Sequence, residues 1–111
     1  MRAVIGRVRI KADRSGEALG MVRERGITML RGMAGSAGGY WARNLDGDLV
    51  QHSFWLFDTE ENARAAAATF SQLRGLPDAP ATFLSVDVCE IIGQAYLARA
   101  RFRAGQVEMS G

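Results

Sequence analysis

The apolar residues of this chain switch between a period of two and a period of about 3.6 four times, and that order constrains the fold more than any single residue does. Residues 3–12 alternate: Val4, Gly6, Val8 and Ile10 share one face, and Ile5, Arg7, Arg9 and Lys11 share the other, as in a strand. A helical stripe follows through Ala18, Leu19, Val22, Met29, Leu30 and Met33. Ser15 or Asp13 is placed to cap that helix, Glu17 suits its first turn, and Gly26 predicts a kink or an early end. Tyr40-Trp41-Ala42-Arg43 and Leu49–Phe57 are extended runs joined through Asp46-Gly47, a strong hairpin signal. On the returning strand, Leu49, Gln51, Ser53, Trp55 and Phe57 share one face, and Val50, His52, Phe54 and Leu56 share the other. Thr59 caps a second helix that carries the stripe Ala63, Ala66, Ala67, Phe70 and Leu73; Gly75, Pro77 and Pro80 end it. Phe83–Ile92 is the last clear strand, with Leu84, Val86, Val88 and Ile92 as its apolar face.

Strand, helix, strand, strand, helix, strand predicts an α+β, ferredoxin-like βαββαβ domain over residues 1–94, with a four-stranded antiparallel sheet and both helices on one face. The faces Val4/Gly6/Val8/Ile10 and Leu84/Val86/Val88 are expected to meet the helices. Trp55 and Phe57, assigned to the uncovered face, are too apolar to leave in water. A second copy is the economical cover, so a homodimer closing into an α/β barrel is expected. Residues 95–111 form a basic extension: Tyr96, Ala98, Ala100 and Phe102 alternate with Leu97, Arg99, Arg101 and Arg103, the pattern of an edge strand crossing to the partner. Residues 105–111 have the composition of a frayed end.

Charge and composition narrow the function. The 14 basic and 12 acidic residues are segregated, with five basic groups in residues 1–14, a net balance of −4 in residues 15–94, and three arginines in the last segment. That basic excess is too small for a nucleic-acid partner. No apolar run reaches the ~18 residues of a membrane span, and the apolar character of the first residues breaks too early for a signal peptide. A cytoplasmic protein is expected. The single cysteine, Cys89, and the single histidine, His52, give neither an internal disulfide nor a metal-ligand cluster, so no metal and no cofactor is expected. Gly32, Gly35, Gly38 and Gly39 do not have the spacing of a phosphate-binding loop.

The element order, together with Phe54-Trp55-Leu56-Phe57-Asp58-Thr59-Glu60-Glu61-Asn62-Ala63, resembles the dimeric α/β-barrel superfamily, and within it the antibiotic-biosynthesis monooxygenase-like branch. Members often carry an aromatic residue, an acid, Ser or Thr, and Glu-Glu where the third strand enters the second helix; here these are Phe57, Asp58, Thr59, Glu60 and Glu61. The resemblance covers roughly residues 3 to 93. It implies the fold, and one of several activities: cofactor-free oxygenation of phenolic, polyketide-like substrates, haem degradation, isomerisation, or none. Haem-degrading and oxygenase members resemble each other in a tryptophan where this chain has Phe57, and often an asparagine where it has Gly6 or Arg7. Haem-binding members take a histidine from the second helical region, and residues 60–80 contain none. Haem degradation is therefore not expected.

Arg7 and Arg9, on the face turned from the helices, are candidates to stabilise an anionic or phenolate ligand, with Asp87 of the last strand as ligand contact or cross-strand partner. His52, placed on the helix side, is the candidate base. Tyr40, Trp55 and Phe57 are candidate aromatic walls, together with Trp41, and Gln51 and Ser53 are candidates to orient a ligand. The expected activity is cofactor-independent monooxygenation of an aromatic substrate. The alternatives are a non-catalytic ligand-binding or stress-type barrel, and an interaction module that uses the basic tail.

Overall fold

The computed structural model describes residues 1–73, 78–95, 100–103 and 106–109. Gly75, Pro77 and the alternating stretch from Tyr96 to Arg99 lie outside the described residues. The elements run β1 (Arg2–Ile10), a 3-10 turn (Ala12–Arg14), α1 (Ser15–Met21), a π-helical turn (Val22–Gly26), α2 (Ile27–Arg31), β2 (Ser36–Arg43), β3 (Val50–Phe57), α3 (Glu60–Gln72) and β4 (Ala81–Glu90). β1 to β4 form one antiparallel sheet in the order β2-β3-β1-β4, the expected ferredoxin-like topology. β5 (Ala100–Arg103) and β6 (Gln106–Met109) pair antiparallel in a separate two-stranded sheet. The tail thus contains two paired strands, where a single edge strand and a frayed end were expected.

Gly26 does not end the first helix. The helix widens into the π-helical turn and resumes to Arg31. Neither Asp13 nor Ser15 caps it. Arg14, the last residue of the 3-10 turn, stands at the N-cap of α1 without a side-chain cap bond. Thr59 does cap α3: its Oγ1 accepts from the Asn62 N–H at 3.1 Å, with Glu60 and Glu61 in the first turn where the helix dipole favours acids. In the hairpin, Asp48 Oδ1 accepts from Asn44 Nδ2 at 2.9 Å and from the Val50 N–H at 3.2 Å.

The pairing register corrects the faces assigned to β3. Val4 lies opposite Trp55 and Gly6 opposite Ser53, and residues directly opposite in an antiparallel pair project to the same side. Trp55 and Phe57 therefore point to the helices, at 1% and 0% exposure, in a core with Val4, Leu30, Ala63, Ala66 and Phe70. His52 lies opposite Arg7 and faces away from the helices, the reverse of the expectation. Alternation groups residues by face but does not say which face is inward; the pairing with β1 decides that. A register shift between Arg7 and Val8 puts Phe83, not Leu84, opposite Val8 and onto the helix side, where its ring meets Phe70 at 5.0 Å.

Two glycines permit this packing. A Cβ on Gly39 would stand 2.5 Å from the Phe54 carbonyl oxygen and 2.8 Å from Leu30 Cδ2; one on Gly6 would meet Ser53 Oγ at 2.8 Å and Phe70 Cζ at 2.9 Å. Gly39→Ala is expected to destabilise the fold by about 1–3 kcal/mol, the usual cost of overpacking. Gly20→Ala, with nothing within 4 Å, should stabilise the helix by roughly 0.5–1 kcal/mol. Chemical denaturation of both variants checks the contrast.

Candidate functional site

Between the sheet and the first helical region lies a cavity of about 310 Å³. α1, the π-helical turn and α2 roof it with Ala18, Met21, Val22, Arg25, Gly26 and Met29. The sheet floors it with Gly6, Val8, Trp41, Gln51, Ser53, Trp55 and Phe83, and Phe70 of α3 and Leu73 just past its end close it. The walls are a chain of edge-to-face rings: Trp41 to Trp55 at 6.1 Å, Trp55 to Phe70 at 4.9 Å, and Phe70 to Phe83. The Trp55 indole N–H is buried with no hydrogen-bond acceptor among the described residues. Polar groups are few. Ser53 Oγ donates to the Gly6 carbonyl at 3.5 Å, and Gln51 Oε1 accepts from Arg43 Nη2 at 3.4 Å. Arg25 is the one charged lining residue; it is exposed and makes no ion pair among the described residues.

The sheet separates the expected site residues into two groups. Gln51, Ser53 and Trp55 line the cavity. Phe57 is sealed in the core beside it. Arg7, Arg9, His52, Tyr40 and Asp87 lie on the open face of the sheet, so the expected arginine–histidine set does not meet the aromatic walls. There, Tyr40 stacks on Phe54 at 4.8 Å and stays 56% exposed. His52 Nε2 lies 3.0 Å from Asn44 Oδ1. Asn44 Nδ2 already donates to Asp48, so its Oδ1 accepts and His52 Nε2 carries the proton. Arg7, Arg9 and Asp87 form no ion pair among the described residues. Arg25 escaped the sequence reading although a signal existed: it continues the stripe Ala18, Val22, Met29 at helical spacing, a charge on an otherwise apolar face. Phe83 could not be found that way, because the bulge that turns it inward has no local mark.

Arg14 fastens one wall. Its Nε and Nη2 each donate to Glu17 at 2.7 Å, and its Nη1 donates to the Asp78 carbonyl at 2.6 Å and to Asp78 Oδ1 at 3.0 Å. The Lys11 N–H donates to the Pro80 carbonyl at 2.9 Å. Together these hold Ala79 and Pro80 against the cavity.

No protein-family model matches the sequence, and no curated protein is detectably similar to it. Solved structures are similar in shape. The haem-degrader MhuD of Mycobacterium tuberculosis, solved with two haems bound in its active site, superposes with a TM-score of 0.68 at 16% identity, over 86% of this chain and 100% of that one. HapK of Hahella chejuensis gives 0.63 at 12% identity, over 89% and 100%. A protein described as an antibiotic biosynthesis monooxygenase, from Deinococcus radiodurans, gives 0.59 at 13% identity, over 86% and 96%. This chain has their ferredoxin-like fold. Among the described residues no helix is long and apolar enough to cross a membrane, and no cluster of three or more His, Cys, Asp or Glu could hold a metal ion.

The Arg14 hydrogen bond, ahead of its charge, lowers the Glu17 carboxyl below its ordinary value of 4.5. A carboxyl lowered by folding contributes stability that is present above its unfolded value and is lost as pH falls through the folded one. The melting temperature should therefore fall below about pH 4.5, and Glu17→Gln, which loses the Arg14 pairing, should lower it at neutral pH and make the acid fall shallower, so that the two proteins converge at low pH. Thermal melts across the acid range check this.

Proposed function

We propose that this chain binds a small aromatic molecule in the cavity between sheet and helices, and acts on it as a cofactor-independent monooxygenase. The observation that carries this reading is the cavity itself: walls of indole and phenyl rings, few polar groups, and an Arg25 guanidinium with no ion pair among the described residues. Apolar concavity with a few convergent polar groups is the usual form of a small-ligand site. The neighbours of the same fold include a haem degrader and a described monooxygenase, which supports the oxygenase class over other aromatic chemistries.

In this reading Arg25 favours the phenolate form of the substrate, because arginine stays charged and offers two directed donors. The ring walls cover the faces of the substrate ring. The substrate anion gives an electron to oxygen. A ring-activated CH₂ becomes a carbonyl: one oxygen atom enters, and the other leaves as water with the two displaced hydrogens. A second reading, ligand binding without catalysis, rests on a specific observation: among the described residues, no His, Asp, Glu, Lys, Cys or Tyr lines the cavity to act as a base. Haem is not the ligand we assign. Among the described residues the cavity offers no imidazole, thiolate or phenolate to iron, the only histidine of the sequence is on the other side of the sheet, and about 310 Å³ is at the small end of ligand sites.

The open sheet face supports a homodimer on different residues from those expected. Ile5, Phe54 and Leu56 are half-buried and Tyr40 is exposed; we assign this face, with Arg7, Arg9, His52 and Asp87, to a second copy of the chain. Sedimentation should show a dimer, and Phe54→Arg, a charge at its centre, should give monomers.

For the cavity, 2-naphthol should quench Trp41 and Trp55 fluorescence with saturation. Gly26→Leu, whose new side chain starts 3.4 Å from the Trp41 ring, should weaken binding at least tenfold. Oxygen uptake with hydroxylated naphthalenes then separates the two readings: uptake lost in Gly26→Leu supports monooxygenation, binding without uptake supports the non-catalytic reading, and no binding removes both.

A further inference from the structure

Gln51 is the one cavity side chain whose polar end is oriented by a neighbouring charge. It lies opposite Val8 on β1 and opposite Arg43 on β2, on the helix side of the sheet. Arg43 is held from two sides: its Nη1 donates to Ser15 Oγ at 3.0 Å, and its Nη2 donates to Gln51 Oε1 at 3.4 Å, both part-buried. A guanidinium has donors and no acceptor, so the amide can present only its oxygen to Arg43. The other end, Nε2, is then turned away from Arg43. It has no acceptor among the described residues, and unlike the Trp55 indole N–H it is not sealed from solvent. Gln51 lines the cavity, so a fixed two-hydrogen donor stands beside an otherwise apolar space.

The arrangement is specific in its polarity. An unconstrained glutamine can rotate its amide and serve a donor or an acceptor equally. Here rotation would set Nε2 against the Arg43 guanidinium, donor against donor. Ser15, in the first turn of α1, keeps Arg43 in place, so the helix start, β2 and β3 jointly set the direction of one hydrogen bond. Ser53, another polar wall residue, spends its own hydrogen on the Gly6 carbonyl.

We propose that Gln51 is the specificity-determining hydrogen-bond donor of the cavity, that Arg43 and Ser15 are its positioning residues, and that the ligand is an aromatic molecule carrying an acceptor oxygen, of the carbonyl or phenolate type, at the ring end that meets Gln51. This rests on the cavity being the ligand site. It adds a polarity rule: an acceptor is admitted, and a group that only donates is not.

The test uses two neutral isosteres, 2-acetonaphthone and 2-ethylnaphthalene, which differ in the carbonyl and place no charge near Arg25. Gln51→Glu keeps an oxygen on Arg43 and so preserves the contact that could serve only the fold, while removing the donor. Binding of 2-acetonaphthone to Gln51→Glu should weaken about tenfold, the effect of leaving an acceptor unpaired in an apolar site, and 2-ethylnaphthalene should bind within about twofold of the unaltered protein. Arg43→Met keeps the donor and frees its direction, so it should reduce the ketone's advantage by a smaller factor, with no loss for the hydrocarbon. Equal effects of Gln51→Glu on both probes overturn the proposal and leave the cavity reading standing. Failure of both probes to bind the unaltered protein overturns the two together.

Discussion

The register between β1 and β3 is the constraint on which the rest of the structure depends. With Val4 opposite Trp55 and Gly6 opposite Ser53, every second residue of β3 from Gln51 to Phe57 turns under the helices. A slip of one residue would turn His52, Phe54 and Leu56 inward and expose Trp55 and Phe57. That exchange would bring a titratable imidazole into the core and set two large aromatic rings in water. The present register buries both rings almost completely, which is the larger hydrophobic gain.

The cavity follows from the same register and from the sizes of the side chains it selects. Gly6 leaves room for the Phe70 ring to reach the sheet, and Phe70 then bridges Trp55 and Phe83 edge to face. Of the roof residues, Ala18 and Gly26 have little or no side chain to fill the space. Arg25, within the π-helical turn from Val22 to Gly26, lines the cavity. Rings at one end, small residues above and a held amide at the side make a space that is apolar in bulk and polar at chosen points.

The two faces of the sheet therefore separate two tasks. The helix side combines core and cavity. The open side carries Arg7, Arg9, His52 and Asp87 among Ile5, Phe54 and Tyr40. In one strand these two sets alternate residue by residue, so a sequence motif that mixes Ser53 with His52 describes neighbours in the chain that lie on opposite sides of a sheet.

Much of the fold was legible in the sequence, because it is written in local physics. Alternation marked β1 and β3, Asp46-Gly47 marked the hairpin, and Thr59 with Glu60 and Glu61 marked the start of α3, since each acts on groups a few residues away. The resemblance carried by Phe57-Asp58-Thr59-Glu60-Glu61 also led to the fold, for those residues are a strand end and a helix cap. Of the residues that line the cavity, Gln51, Ser53 and Trp55 were singled out by type and spacing alone. Which face they served was not, and neither was the inward turn of Phe83 or the hold of Arg43 on Gln51. A period of two names the residues that share a side; only pairing with a distant strand decides which side meets the helices, because that choice is settled by the area buried across the whole sheet and not by any stretch within it.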